Sequence, residues 1–249
     1  MLQTPVFVFD IDDTLYSRLG LIGEIGEEIL GSRLTVSREE FARVFNVKSN
    51  ENFYLVESGR ITPVESNVLR FRLTAEAFGC EVTEEECRRF SETYRYRQAH
   101  ASLSPVLTQM MEDLSRAPVQ LGVLTNGAPE HQRGKFRMLG LERWIPEKRA
   151  VVSGEEGCSK PDPALFTVCA QRLDAAPAQL WMIGDSFEHD IAGAQQAGWH
   201  SLWFNRCRRS TPEGAAAPDR VVYTEEELAK VCRELAGIED DVPADKKGN

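Results

Sequence analysis

Acidic side chains directly follow the first apolar run of the chain. The run Val6–Phe9 is rich in β-branched and aromatic residues, and Asp10, Asp12 and Asp13 place three carboxylates within the next four positions. Like charges this close raise one another's pKa, and a bound divalent cation relieves the repulsion. A turn or a helix cap is the alternative interpretation, because Asp favours both.

Three further segments place polar residues at a predicted strand end or helix start. Thr125 and Asn126 lie at the end of a strand predicted over 119–125 and supply a hydroxyl and an amide, although an ordinary turn uses the same residue types. Lys160 precedes a proline-initiated helix whose positive end would help it attract an anion, whereas a solvated lysine is the simpler alternative. Asp185 and Asp190 follow another apolar strand and offer the hard oxygen ligands that Mg²⁺ prefers.

The elements that would position these residues change in character along the chain. After the first strand, residues 16–103 carry helical patterns without strand-like alternation, among them an amphipathic helix predicted over 63–78 and a capping-box signature at Thr83-x-x-Glu86. From 104 to 237, strands and helices alternate, which implies parallel strands joined by helical crossovers. We therefore predict an α/β fold: a Rossmann-like parallel-sheet core with helices on both faces (1–15 and 104–237), an inserted all-helical cap (16–103) and a flexible tail (238–249). The cap would lie at the carboxyl ends of the strands, where open α/β sheets bind ligands.

Composition disfavours several classes of protein. The chain has 249 residues and a net charge of −10, which disfavours non-specific binding to nucleic acid or to anionic membranes. No run reaches the roughly 20 apolar residues of a membrane helix, and the N-terminal residues lack the features of a signal peptide. The 6 cysteines contain no C-x-x-C pair, and the 4 histidines show no zinc-site spacing. We expect a cytoplasmic monomer or homodimer with reduced thiols.

Taken in order, the four polar segments resemble the signature motifs of the haloacid dehalogenase (HAD) superfamily. The motifs are D-x-D-x-T at 10–14, a hydrophobic residue before T-N at 124–126, K-P at 160–161 and G-D-x-x-x-x-D at 184–190. The likeness extends from Val6 to about Phe204, and the insertion is similar to that family's type-1 helical cap.

The resemblance implies a role for each residue of the core. Asp10 would be the nucleophile that attacks phosphorus and forms an aspartyl-phosphate. Asp12 would be the general acid and base, which protonates the leaving alkoxide and then activates water. Thr125 and the backbone of Asn126 would hold the phosphoryl oxygens, and Lys160 would neutralise charge on the nucleophile and the phosphate.

The resemblance also implies Mg²⁺ as the cofactor. Its ligands would be the carboxylates of Asp10 and Asp185 and the backbone carbonyl of Asp12. Asp190 would contribute through water or by orienting its neighbours. Such a set supplies the positioning and charge neutralisation that a loose phosphoryl transition state needs.

Among the functions of the family, the motifs favour a magnesium-dependent phosphatase. Asp12 supplies a leaving-group acid that the metal-independent haloacid dehalogenases do not need, and the fourth motif keeps its carboxylates. A dehalogenase or a mutase is the alternative enzyme. A non-catalytic scaffold of the same fold is the alternative from another class, although such proteins usually lose the nucleophile or the metal carboxylate.

The insertion and three short stretches indicate a small substrate. A cap of about eighty residues can close over a small phosphomonoester and exclude water. The stretches 9–16, 57–62 and 153–157 are similar to the pyrimidine 5′-nucleotidase and nucleoside-monophosphate phosphatase group. A nucleoside 5′-monophosphate is therefore the leading expectation, followed by small sugar or glycolate phosphates. The cap residues expected to stack on a base or to bind its edge are Arg18, Asn50, Asn52, Phe53 and Tyr54, with the cap core as the alternative for Phe53 and Tyr54.

Overall fold

Six parallel strands form the sheet. The computed structural model describes residues 4–238, except for the side chains at positions 50, 53 and 57. The strands are β1 (Val6–Phe9), β2 (Gln120–Thr125), β3 (Ala150–Val152), β4 (Leu180–Gly184), β5 (His200–Phe204) and β6 (Arg220–Val222). Their order is β3-β2-β1-β4-β5-β6, and each neighbouring pair is parallel. The predicted Rossmann-like α/β class is confirmed.

The helices fall into an inserted group and a group that alternates with the strands. The inserted helices are α1 (Arg18–Leu30), α2 (Arg38–Glu57), α3 (Pro63–Ala77) and α4 (Glu84–Ala99). The others are α5 (Pro105–Arg116), α6 (Pro129–Met138), α7 (Ser153–Glu156), α8 (Pro163–Leu173), α9 (Gly193–Gln196) and α10 (Glu225–Leu235). No described helix is both long enough and apolar enough to cross a membrane. The cysteines are all free thiols.

The chain divides into two compact units. The larger unit comprises the residues up to Tyr16 and those from Ser102 onward, and the helical unit comprises Ser17–Ala101. The sequence predicted the helical unit to span 16–103, whereas the structure gives Ser17–Ala101. The predicted start is therefore one residue too early and the predicted end two residues too late. Tyr16 belongs with the sheet because it bridges to Asp12 and its hydroxyl donates to Asp12 Oδ1 at 2.7 Å.

Apolar strands form the core of the larger unit. All four residues of β1 are buried, as are the last five residues of β2. Such continuous apolar runs are typical of parallel strands that are covered on both faces. Helix α8 packs Leu165, Phe166 and Leu173 into a cluster that includes β1 and β4 residues. The strand ends are therefore held in a fixed register.

The helical unit has its own aromatic core. The rings of Phe71 and Phe90 stack with their centroids 4.3 Å apart, and Phe41 and Phe45 pack in the same cluster. The capping box predicted from Thr83 forms, and it starts α4 by pairing the N-cap with the third residue of the helix. The unit thus buries an apolar interior of its own.

One predicted helix has a different form. The sequence pattern predicts a regular helix over 188–197, whereas Phe187–Ala192 is a π-helical segment that leads into α9. Its wider turn appears in the bond from the Ile191 amide to the Ser186 carbonyl, five residues back. The segment begins where Ser186 Oγ accepts from the His189 amide. The predicted Asp190 thus lies in a π-helical turn.

Candidate active site

The parallel register brings the predicted motif residues to one edge of the sheet. Phe9, the last residue of β1, pairs with Val123 on one side and with Ile183 on the other. The Asp10 amide donates to the Ile183 carbonyl at 2.9 Å, which extends this pairing by one residue. The residues that follow β1, β2 and β4 therefore meet at their carboxyl ends, the usual ligand edge of such sheets.

A buried lysine joins two of the motif carboxylates. Lys160 Nζ donates to Asp10 Oδ1 at 2.7 Å, to Asp190 Oδ1 at 2.6 Å and to the Leu124 carbonyl at 2.9 Å. These bonds use all three ammonium hydrogens. Burial lowers the pKa of Lys160, but the charges of Asp10 and Asp190 outweigh it and raise the pKa above its ordinary value. The side chain is thus held as a cation.

The carboxylates around Lys160 repel one another. Burial raises the pKa of Asp10 to about 7, with Asp190 and Asp12 adding to the shift and Lys160 opposing it. Burial also raises the pKa of Asp185 well above its usual range, and the charges of Asp13, Asp190 and Asp10 act in the same direction. One ammonium therefore does not neutralise this cluster.

The same cluster has the donor set of a divalent cation site. One carboxylate oxygen from each of Asp10, Asp185 and Asp190 lies within 4.8 Å of the others. Gly184 permits this approach, because a Cβ atom there would lie 2.2 Å from Asp190 Oδ2. Hard oxygens with excess negative charge suit Mg²⁺, so the residues present fit the predicted metal.

The two phosphate-binding candidates at the end of β2 are placed differently. Thr125 Oγ1 is buried and has no hydrogen-bond partner among the described residues, and an orphaned buried hydroxyl at a strand end is suited to a bound oxygen. The Asn126 side chain instead binds the backbone of Lys160: its Nδ2 donates to the Lys160 carbonyl, and its Oδ1 accepts from the Lys160 amide, both at 2.9 Å. Phosphate binding by the Asn126 backbone stays a prediction.

Asp12 lies in an environment opposite to that of Asp10. Lys135 Nζ donates to its Oδ1 at 2.7 Å and to its Oδ2 at 2.6 Å, and Gln132 and Tyr16 donate to it as well. Burial raises the pKa of Asp12, but the charge of Lys135 and these hydrogen bonds outweigh it and hold the pKa well below its usual range. Asp12 is therefore held as a carboxylate.

Sequence reasoning missed Lys135 and Gln132. A signal was present, because Gln132, Lys135 and Phe136 lie at i, i+3 and i+4 on α6 and are its buried residues. Lysine and glutamine are rarely fully buried without a partner. Their position on the same helix face as Phe136 was the sign of a buried acceptor.

The residues of the helical unit that were predicted to contact a base make separate contacts in the structure. Arg18 Nη2 donates to Asn46 Oδ1 at 2.9 Å, and Asn52 Nδ2 donates to the Lys48 carbonyl at 2.9 Å, along its own helix. Tyr54 is 55% exposed, so the alternative that it belongs to the cap core is wrong. The side chains of Asn50 and Phe53 lie outside the described residues.

Comparison with known proteins establishes the family. The model of the haloacid dehalogenase-like hydrolases matches residues 4–198, and the chain belongs to this family. The chain is 27% identical to a glyceraldehyde 3-phosphate phosphatase of Methanopyrus kandleri, across 92% of this chain and 97% of that protein. It is 25% identical to the pyrimidine 5′-nucleotidase YjjG of Escherichia coli, across 84% and 89%.

Two further likenesses extend the comparison. A match of 33% identity to a phosphoserine phosphatase of Thermus thermophilus covers 54% of this chain and 53% of that protein. The putative HAD-hydrolase YfnB of Bacillus subtilis, solved with magnesium bound, shares the fold with a TM-score of 0.63 at 21% identity, over 92% of this chain and 99% of that chain. The prediction of a phosphoric monoester hydrolase of this family is confirmed.

Proposed function

We propose that this chain hydrolyses a small phosphomonoester in a magnesium-dependent reaction through an aspartyl-phosphate intermediate. The observation that carries the proposal is the buried Lys160, which binds Asp10 at the sheet edge where β2 also ends with Thr125. Mg²⁺ held by Asp10, Asp185 and the backbone carbonyl of Asp12 would neutralise negative charge on the phosphoryl oxygens and the carboxylates. Asp190 supports the set by binding Lys160.

The first half of the reaction forms the covalent intermediate. A carboxylate oxygen of Asp10 bonds to phosphorus as the ester P–O bond breaks. The leaving alkoxide takes a proton from Asp12 and departs as an alcohol. Lys135 occupies both oxygens of Asp12 in the structure, so Asp12 must turn away from it before it can carry that proton.

The second half regenerates the enzyme. Water attacks phosphorus, its proton goes to the Asp12 carboxylate, and the bond from phosphorus to Asp10 breaks to release inorganic phosphate. Lys135, Gln132 and Tyr16 already hold Asp12 in the ionised form that this half requires. The same contacts lower the affinity of Asp12 for a proton, so they must loosen before Asp12 can act as the base.

The names of relatives support the choice of substrate class. By their names, two relatives covered over most of their length act on glyceraldehyde 3-phosphate and on pyrimidine 5′-nucleotides. We propose a phosphomonoester of a small polar metabolite, with nucleoside 5′-monophosphates as the first group to test and small sugar and glycolate phosphates as the second.

A phosphate-release screen tests this proposal. The full chain is assayed with Mg²⁺ against nucleoside monophosphates, sugar phosphates, phosphoglycolate and p-nitrophenyl phosphate, with Asp10→Asn as the matched inactive control. We expect phosphate release by the wild type that stops after chelation and returns with Mg²⁺. Full activity after exhaustive chelation would contradict the metal dependence. Absence of release from every compound by a folded wild type would overturn the proposal.

A further inference from the structure

One arginine of the helical unit is half-buried among neutral acceptors. Arg70 donates from Nε to the Ser66 carbonyl at 3.1 Å, from Nη1 to Ser49 Oγ at 3.2 Å and from Nη2 to Asn67 Oδ1 at 3.0 Å. Ser49, Ser66 and Asn67 are all buried. Within the described part of the chain, no carboxylate oxygen lies within 4.0 Å of the Arg70 guanidinium. The cation is therefore hydrogen-bonded but not neutralised.

The rest of the helical unit shows that this is not the general pattern. Its other arginines often pair with a glutamate, as in Arg33 with Glu86, Arg38 with Glu27, Arg43 with Glu40, Arg72 with Glu84 and Arg97 with Glu28. Arg72 lies two positions after Arg70 on the same helix, and its side chain is 34% exposed. The unit is rich in carboxylates, yet none whose side chain the structure describes lies within 4.0 Å of Arg70.

The surroundings of Arg70 disfavour its charge. Burial lowers its pKa, and the positive charge of Arg18 acts in the same direction, against an opposing effect of Tyr94. The guanidinium lies 5.7 Å from the centroid of the Phe45 ring, which offers attraction without neutralisation. A partly buried cation without a counterion is stabilised when an anion binds to it.

The hydrogen-bond inventory defines what could bind. A guanidinium has five N–H donors, and Arg70 uses one on Nε and one on each terminal nitrogen. One N–H on Nη1 and one on Nη2 remain, and two such donors match two oxygens of a carboxylate or a phosphate. We propose that Arg70, fixed by Ser49 and Asn67, forms an anion-binding site of the helical unit for a carboxylate or phosphate group of a small molecule.

The anion can come from two sources. It is either a second charged group of the substrate, in which case the inference rests on the proposed function, or a separate small anion that binds the helical unit. The chemistry is the same in both cases, because the guanidinium binds the oxygens and not the rest of the molecule. Binding and catalysis are therefore measured separately.

Thermal unfolding of the full chain in sulfate tests the site. Sulfate is titrated at constant ionic strength against chloride, for the wild type, for Arg70→Gln and for the control Arg72→Gln, which removes the same charge from the same helix. At about ten times the dissociation constant we expect the wild-type midpoint to rise by on the order of 3 °C. Arg72→Gln should keep this rise and Arg70→Gln should lose it.

The comparison isolates Arg70, because sulfate bound in the larger unit affects all variants equally. Equal sulfate responses of the wild type and Arg70→Gln would overturn the site. Arg70→Lys keeps the positive charge but loses the planar set of N–H donors, so its midpoint should rise by an intermediate amount in sulfate. This variant replaces Arg70→Gln in the test if Arg70→Gln does not fold. None of these measurements depends on turnover, so they stand even if the proposed function fails.

Kinetics with a matched pair of substrates then identifies the source of the anion that binds Arg70. 3-Phosphoglycerate carries a carboxylate where glycerol 3-phosphate carries an alcohol. If the substrate supplies the anion, Arg70→Gln should lower kcat/KM for 3-phosphoglycerate by roughly 10–100-fold and leave glycerol 3-phosphate within about two-fold. Equal effects on both, with the sulfate response lost, assign the site to a separate anion.

Discussion

Each unit holds a cation at least partly out of solvent, Lys160 in the larger unit and Arg70 in the helical unit, and the two cations have opposite surroundings. In the larger unit, Lys160 is 4% exposed and binds two carboxylates and a carbonyl, so the structure itself supplies the counterions. In the helical unit, Arg70 binds a carbonyl, a hydroxyl and an amide, all neutral. Lys160 therefore holds a preorganised reactive group in place, whereas Arg70 has no counterion among the described side chains and is suited to receive one from solution.

The largest effect is expected when the proposed nucleophile beside Lys160 is replaced. Asp10→Asn keeps the size of the side chain and loses the negative oxygen that attacks phosphorus, so we expect turnover to fall by on the order of 10³-fold or more. Phosphate release measures this loss, and circular dichroism checks that the fold is intact. A rate above a few per cent of wild type, with deamidation excluded by mass spectrometry, would remove Asp10 from this role.

Removal of the shared cation should cost stability as well as activity. Lys160→Met leaves Asp10 and Asp190 buried without their counterion, and loss of one member of a buried ion pair typically costs about 3–5 kcal/mol. Urea unfolding in the presence of chelator measures the change in unfolding free energy. Lys160→Met combined with Asp190→Asn should be less destabilised than the sum of the single changes, and strict additivity would contradict the shared-charge arrangement.

A smaller effect is expected when Lys135, the cation bound to Asp12, is replaced. Lys135→Met leaves Asp12 without its cation and its fixed orientation, so we expect kcat to fall by about 10²-fold, and KM to fall with it where hydrolysis of the intermediate limits turnover. p-Nitrophenyl phosphate should then show a burst of nitrophenol, because hydrolysis of the aspartyl-phosphate becomes the slow step. Lys135→Arg should restore part of the rate. An unchanged kcat in Lys135→Met would show that this contact does not position Asp12.

The smallest effect should be found at Arg70. Arg70→Gln removes hydrogen bonds to Ser49 and Asn67, but it also removes a partly buried charge and its repulsion from Arg18. We expect these effects to offset, so the unfolding free energy in low-anion buffer should change by less than about 1 kcal/mol. The same urea experiment measures it, with Arg72→Gln as the control. A loss as large as that of Lys160→Met would mean that Arg70 is already neutralised.

Local patterns in the sequence were sufficient to predict the elements and the motif residues. The apolar run of β1 and the Asp residues after it, the helix predicted over 63–78 and found as α3, and the capping box at Thr83 depend on nearest neighbours in the chain. The alternation of strands and helices also predicted the parallel sheet. Because such a sheet aligns its strand ends, it brings Asp10, Thr125 and Asp185 to one edge without any knowledge of side-chain contacts.

Only the tertiary structure decided how the charges are paired. Asp12 and Lys135 are 123 positions apart, and Lys160 and Asp10 are 150 apart, so no local pattern specifies these bonds. The commitment of the Asn126 side chain to Lys160 and the exposure of Tyr54 likewise depend on how helices pack. Local periodicity reports which face of an element is buried, whereas the partner on that face is set by the packing of distant segments. That is why the sequence predicted the motif residues, while the counterions of Lys160 and the neutral hydrogen-bond partners of Arg70 became visible only in the folded chain.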